Sequence, residues 1–209
     1  MEETNNNAPR LLISFVMDNS SCVTGERLGE MMSAFRAFAA KEEFPCTVEW
    51  ELLTFDAFAP MVAKEFADRE VAPVAADRFP LLGRAAMSAA GRLCDRARTL
   101  KAAGETVYRP WLFLLSGGFT ADGMEEAAAE LERLERGGEL LYLPFKLSQK
   151  LLTERLQCLD RNKHMIEIKE GQFASLFTFV ESMINQRAEL KPEVGIKFNK
   201  TDFEGWAVL

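Results

Sequence analysis

The sequence is poor in the residues that build metal, redox and phosphate sites. Its four cysteines, Cys22, Cys46, Cys94 and Cys158, are widely spaced with no C-x-x-C pair, and His164 is the one histidine in 209 residues. That pattern argues against a zinc site or a disulfide framework and fits a reducing compartment. Neither G-x-x-x-x-G-K-S/T nor G-x-G-x-x-G follows Gly117-Gly118, so the glycine pair carries no nucleotide-binding signature. Positive charge is also short. A formal net charge of -7 argues against a sequence-independent grip on nucleic acid or anionic lipid, so neither a nucleic-acid nor a membrane partner is expected. No apolar run approaches the ~18 to 20 residues of a membrane span. The first ten residues, MEETNNNAPR, have no basic start and no apolar core of a secretion signal, so a cytoplasmic location is expected.

What is present is a regular alternation of strand and helix patterns. With 48% hydrophobic residues, the chain is long enough for one α/β core and short for two. The organising stretch is Leu11 to Glu26, LLISFVMDNSSCVTGE: an apolar run of strand length, a polar loop, then an amphipathic segment. Leu28, Met31, Met32, Phe35 and Phe38 give that segment a helical stripe over Glu26 to Ala40. Cys46 to Phe55 reads as a second strand and Ala57 to Ala63 as a short extended segment. Val71 to Pro80 reads as loop, and an Ala-rich helix runs from Leu81 to about Ala103, where Gly104 ends it. Trp111 to Leu115 is a buried strand by length and flanks. Asp122 is expected to cap the next helix, with Glu125 and Glu126 in its first turn. Glu139 to Phe145, Leu147 to Leu159, Lys163 to Lys169 and Gln172 to Arg187 continue as strand, helix, strand, helix. This alternation predicts a doubly wound, mostly parallel sheet with helices on both faces.

At the end of the first strand, Asp18-Asn19-Ser20-Ser21-Cys22 followed by Gly25-Glu26 resembles the D-x-S-x-S loop of von Willebrand factor A (vWA) domains, and of their intracellular bacterial, tellurium-resistance-type branch in particular. Thr54-Phe55-Asp56, Leu82-Gly83 with Ala85-Ala86, Arg109 to Leu115, and the block from Met165 to Ile184 resemble later parts of the same family, in order, over about residues 10 to 188. The resemblance implies a six-stranded sheet with one antiparallel edge strand. It divides the chain into a frayed start over 1–9, a vWA domain over 10–190 and a C-terminal tail over 191–209.

The family's chemistry is a metal-ion-dependent adhesion site, and the residues here depart from it. Magnesium takes hard oxygen ligands in near-octahedral geometry. Asp18 and Ser20 match the family's first-loop ligands, but the second hydroxyl position is Cys22, whose soft sulfur suits magnesium poorly. The Thr position falls on Pro80, and the Thr-Asp-Gly after the central strand reads Ser116-Gly117-Gly118, which removes the second acidic residue. The expectation is therefore no cofactor, a vestigial site at Asp18 and Ser20, and a partner-binding rim of Asp18, Ser20, Cys22, Pro80, Ser116, Gly117 and Asp122. Other readings stand beside it. Asp18 and Ser20 can cap a helix and satisfy turn amides. Asp56, Asp77 or Asp122 can replace a lost ligand and restore a magnesium site. Arg78 or Arg84 can place a guanidinium where the ion would be. Cys22 can be a nucleophile, although the base it needs is missing from its neighbourhood in the sequence.

The tail reads KPEVGIKFNKTDFEGWAVL, with Phe203 and Trp206 among polar neighbours. It is expected to dock on its own domain, the alternative being a linear motif for another protein. The functional expectation is a non-enzymatic protein-interaction module, an adaptor. The resemblance brings protein kinases and PP2C-type phosphatases as partners. The rival from another class is a small enzyme on the same sheet.

Overall fold

The structure is a computed structural model that describes residues 8–20, 23, 25–41, 43–55, 60–64, 66, 81–147, 154–191, 194–196 and 198–208. Strands β1 (Arg10–Asp18), β2 (Thr47–Phe55), β4 (Trp111–Ser116), β5 (Leu141–Lys146) and β6 (Ile166–Ile168) run parallel, and β3 (Pro60–Lys64) pairs antiparallel with β2. These form the expected doubly wound sheet. Beyond it, Ala207–Val208 forms a two-residue β7, antiparallel to β6, so among the described residues the sheet has seven strands in the order β3-β2-β1-β4-β5-β6-β7. Helices α1 (Gly25–Ala39) and α5 (Phe173–Glu189) cover one face; α2 (Leu82–Ala102), α3 (Glu125–Arg136) and the short α4 (Gln157–Asn162) cover the other.

The side-chain alternation of the strands divides the core into two different layers. On the α1/α5 face, Phe15 stacks on Phe113 at 5.2 Å between centroids and Phe113 on Phe145 at 6.1 Å, an aromatic row across β1, β4 and β5. Phe35 and Phe38 of α1 and Phe177 of α5 close over it, each within 5.7 Å of Phe15. Rings this large hold helices well off the sheet. The opposite face is built for close approach: Leu12, Val16, Leu112 and Leu114 meet Ala85, Ala86, Ala89 and Ala90 of α2, and all of these are buried. The Ala-rich stripe is thus a spacing device as well as a helix former.

Further along α2 the contact with the sheet turns ionic. Glu51 is fully buried on β2, taking the Ser14 hydroxyl at 2.9 Å and the Arg92 guanidinium at 2.7 Å. Glu49 takes Arg10 at 2.7 Å and Arg96 at 2.8 Å. The β1–β2 register sets this layer, because Ser14 lies directly opposite Glu51.

The chain after α5 lies on the domain. Buried Arg187 donates to the carbonyls of Leu190, Lys191 and Val194, with its guanidinium 4.7 Å from the Tyr108 ring centroid. A 3-10 turn at Lys200–Phe203 then brings Phe203 and Trp206 against Phe179 at 5.0 and 5.5 Å, and Trp206 stacks on Phe145 at 6.4 Å. The indole N–H is satisfied by the Asp202 carbonyl at 2.9 Å.

Candidate functional site

In the observed strand order, β1 is flanked by β2 on one side and β4 on the other, so the chain's winding direction reverses between β1 and β4. Open α/β sheets place ligand sites at this point, beyond the carboxyl ends of the strands. Asp18 ends β1 and Ser116 ends β4, which brings two parts of the predicted rim together.

Asp18 is buried and its carboxylate closes the gap between these strands. One oxygen accepts the N–H of Ser20 at 2.9 Å; the other accepts the N–H of Gly117 at 2.8 Å, across 99 residues of sequence. Burial pushes this carboxyl above its ordinary pKa, while hydrogen bonds from the Ser20 hydroxyl, Gly117 N–H and Ser20 N–H act in the opposite direction. Ser20 and Ser116 are also buried, and the Ser116 hydroxyl accepts the N–H of Gly118 at 3.2 Å. Gly118 has φ 96°, a left-handed conformation that glycine adopts without strain. Asp18, Ser20, Ser116 and Gly117 are therefore grouped at one point, beneath the surface.

Asp122 does a different job from the one expected. Met124 is the N-cap of α3, and α3 has no side-chain cap bond. The Asp122 carboxylate instead reaches the first turn of α2, accepting the N–H of Gly83 at 3.2 Å and of Arg84 at 2.8 Å. Thr120 completes this cap: its hydroxyl accepts the N–H of Leu82 at 3.0 Å and donates to Asp122. The cap is supplied from another loop because Leu81, at the N-cap of α2, has no oxygen in its side chain. The loop can come this close only at a glycine, since a Cβ on Gly83 would sit 2.4 Å from the Gly123 carbonyl oxygen.

Sequence reasoning assigned Thr120 no role and named Gly83 only within the Leu82-Gly83 resemblance. The signal was the Thr120-x-Asp122 pair together with a helix start, Pro80-Leu81, that offers no acceptor. Cys22 and Pro80 of the predicted rim lie outside the described residues, as do Asp56, Asp77 and Arg78. Arg84 is exposed, while Asp18 is buried and accepts from the Ser20 and Gly117 amides. Among the described residues, no cluster of His, Cys, Asp and Glu is placed to hold a metal ion.

The sheet order, the flanking helices and the β1/β4 loop cluster define a vWA-type fold. Solved structures agree. The chain is similar to the VWA domain of SpRpn10, at 16% identity and a TM-score of 0.52, covering 86% of this chain and 97% of that one. It is similar to the N-terminal domain of TFIIH p34, at 8% identity and a TM-score of 0.53, covering 84% and 98%. Proximal thread matrix protein 1 from the mussel byssus gives 11% identity and a TM-score of 0.57, with 85% of this chain covered and 49% of that one, so the chain spans about half its length. At such identities the likeness is one of fold. No protein-family model matches the chain, and no curated protein does.

Proposed function

We propose that this chain is a non-enzymatic protein-interaction module of the vWA type, an adaptor whose metal-site loops are tied together without a metal ion. The observation that carries the proposal is the bonding of Asp18: both carboxylate oxygens are engaged by backbone N–H groups, of Ser20 and Gly117. A magnesium ligand at this position needs a carboxylate oxygen turned to the ion, and of the other family positions among the described residues Ser20 keeps a hydroxyl, which bonds to Asp18. Gly117 has no side chain, and Asp122 and Thr120 are engaged by the N-terminus of α2. Among the described residues, this bonding supports the metal-free reading.

The chemistry of the remaining groups supports a binding role over an enzymatic one. Burial raises the thiol pKa of Cys46, to about 11, and also those of Cys94 and Cys158, which keeps them protonated and poor nucleophiles. The side chain of His164 is 86% exposed, and its nearest carboxylate partner is Asp160 at 4.0 Å. Two of the similar structures are a VWA domain of SpRpn10 and a domain of TFIIH p34, and protein partners fit that company. The resemblance of residues 18–26 to the bacterial tellurium-resistance branch makes a protein kinase or a PP2C-type phosphatase the candidate partner class, in the cytoplasm.

Isothermal titration with magnesium and manganese, on wild type and Asp18→Ala, tests the metal-free reading. The expected result is no saturable heat below millimolar metal. A one-to-one heat at sub-millimolar metal that vanishes in Asp18→Ala would restore a magnesium-dependent binding domain with substitute ligands as the function.

A further inference from the structure

The clasp between Asp122 and the first turn of α2 leaves a groove beside it, and this groove has the chemistry of a docking surface. It is a cavity of about 540 Å³ between the N-terminal ends of α2 and α3, with Gly83, Gly123 and Ala127 among its small lining residues. Met87 also lines it and is 40% exposed, one of three large hydrophobic residues described as exposed. Glu125 and Glu126 line the α3 side, and both are exposed. With Asp122 they set three carboxylates against the single guanidinium of Arg84. Asp122 is engaged by the amides of α2, whereas neither Glu125 nor Glu126 forms an ion pair among the described residues.

Two features make the groove ready for a ligand. Its floor is preformed, because the Gly83–Gly123 approach and the Asp122 bonds fix the two helix ends relative to each other. Binding then costs little ordering of the backbone. The exposed apolar side chain in its lining is Met87, which adapts to different apolar partners through its flexible, polarisable thioether.

We propose that this groove takes a short segment of a protein partner in which a lysine or arginine lies beside an apolar side chain. The basic group pairs with Glu125 and Glu126, and the apolar side chain covers Met87. Charge complementarity selects this occupant, since the groove is net acidic and belongs to a chain of net charge -7. The inference rests on the protein-interaction reading above and names the chemistry of the partner's contact.

The test is a phage-displayed dodecamer peptide library panned on the full chain. Affinities of an enriched peptide are then measured on wild type, Glu125→Gln/Glu126→Gln and Met87→Ala, with Glu132→Gln as control, after confirming that each variant melts as wild type does. The expected peptides carry Lys or Arg near an apolar residue and lose about tenfold or more in affinity on the first two variants but not on the control. Their binding also weakens as salt rises. Failure to enrich any peptide, enrichment of peptides without a basic residue, or unchanged affinity on both groove variants would overturn the proposal. Repeating the titration in EDTA separates the two readings. Loss of binding in EDTA with groove sensitivity retained would sink the metal-free reading alone, and binding that survives EDTA but ignores the groove variants would sink the groove alone.

Discussion

Asp122 accepts the N–H of Gly83 at 3.2 Å, so a carboxylate from the loop after β4 caps a helix that begins 40 residues earlier. Replacing it leaves two N–H groups of α2, those of Gly83 and Arg84, without their acceptor. Asp122→Ala is expected to cost about 1 to 2 kcal/mol, as loss of an N-cap does. In a chain of this size that is a fall of roughly 2 to 8 °C in Tm, readable by calorimetry. Asp122→Asn, which keeps one acceptor oxygen, is expected to lose less; equal losses for the two variants would refute the capping role.

Gly83→Ala is the complementary change. The added methyl meets the Gly123 carbonyl oxygen at 2.4 Å, a contact that backbone atoms must move to relieve. The variant is expected to be destabilised by about 1 to 3 kcal/mol, although alanine is ordinarily the better helix residue by about 1 kcal/mol. A more stable Gly83→Ala protein would mean that the two loops do not approach as described.

The pH dependence of Asp18 follows from its burial. Its pKa in the folded chain is raised above the ordinary 3.8, so the folded state holds this proton more tightly than the unfolded state does. The resulting contribution to stability is fully present below the unfolded value and is lost as pH rises through the folded value. Asp18→Asn has no such titration. The stability difference between wild type and variant, from urea unfolding at a series of pH values, should therefore shift in favour of wild type as pH falls through this window. A flat difference would refute it.

The ionic layer under α2 gives a third kind of prediction. Arg92→Met removes the guanidinium that the fully buried Glu51 carboxylate accepts at 2.7 Å and is expected to cost about 3 kcal/mol, because a buried charge loses an ionic contact. The double variant Glu51→Gln/Arg92→Met removes the charge as well and should recover part of that loss. If the double variant is the less stable of the two, the pair is not acting as a buried ion pair.

Trp206→Ala tests the docking of the tail. Trp206 is 7% exposed and its indole lies among Phe145, Phe179 and Phe203. Truncating a buried Trp costs about 3 to 5 kcal/mol, and urea unfolding should register it. An unchanged midpoint would mean that the tail leaves the domain in solution.

Much of the architecture was legible in the chain itself. The apolar run Leu11 to Met17, the helical stripe from Leu28 to Phe38, the Ala-rich segment closed by Gly104, and the short run Trp111 to Leu115 each carry a local period or boundary. Those periods reflect which faces are buried, and burial in a layered α/β fold repeats from residue to residue. Strand β6 was harder to bound: Lys163 to Lys169 shortens to Ile166–Ile168, because pairing with β5 extends over only Phe145–Lys146.

The sequence by itself determined the alternation of strands and helices and the presence of Asp18 and Ser20 at the end of β1. It also determined that Gly117, at the place where the resemblance puts an acidic residue, has no side chain, since each of these is a matter of residue type and local spacing. Only the tertiary structure decided what the polar groups do. Asp122 reads locally as a cap for α3 and in space caps α2; Asp18 reads as a vestigial ligand or a cap for nearby turn amides and in space also binds the distant amide of Gly117; Glu51 reads as one acidic residue in a strand and in space is buried beneath Arg92. A hydrogen bond or ion pair is fixed by the last ångström of separation between groups far apart in the chain, and no local period encodes that distance.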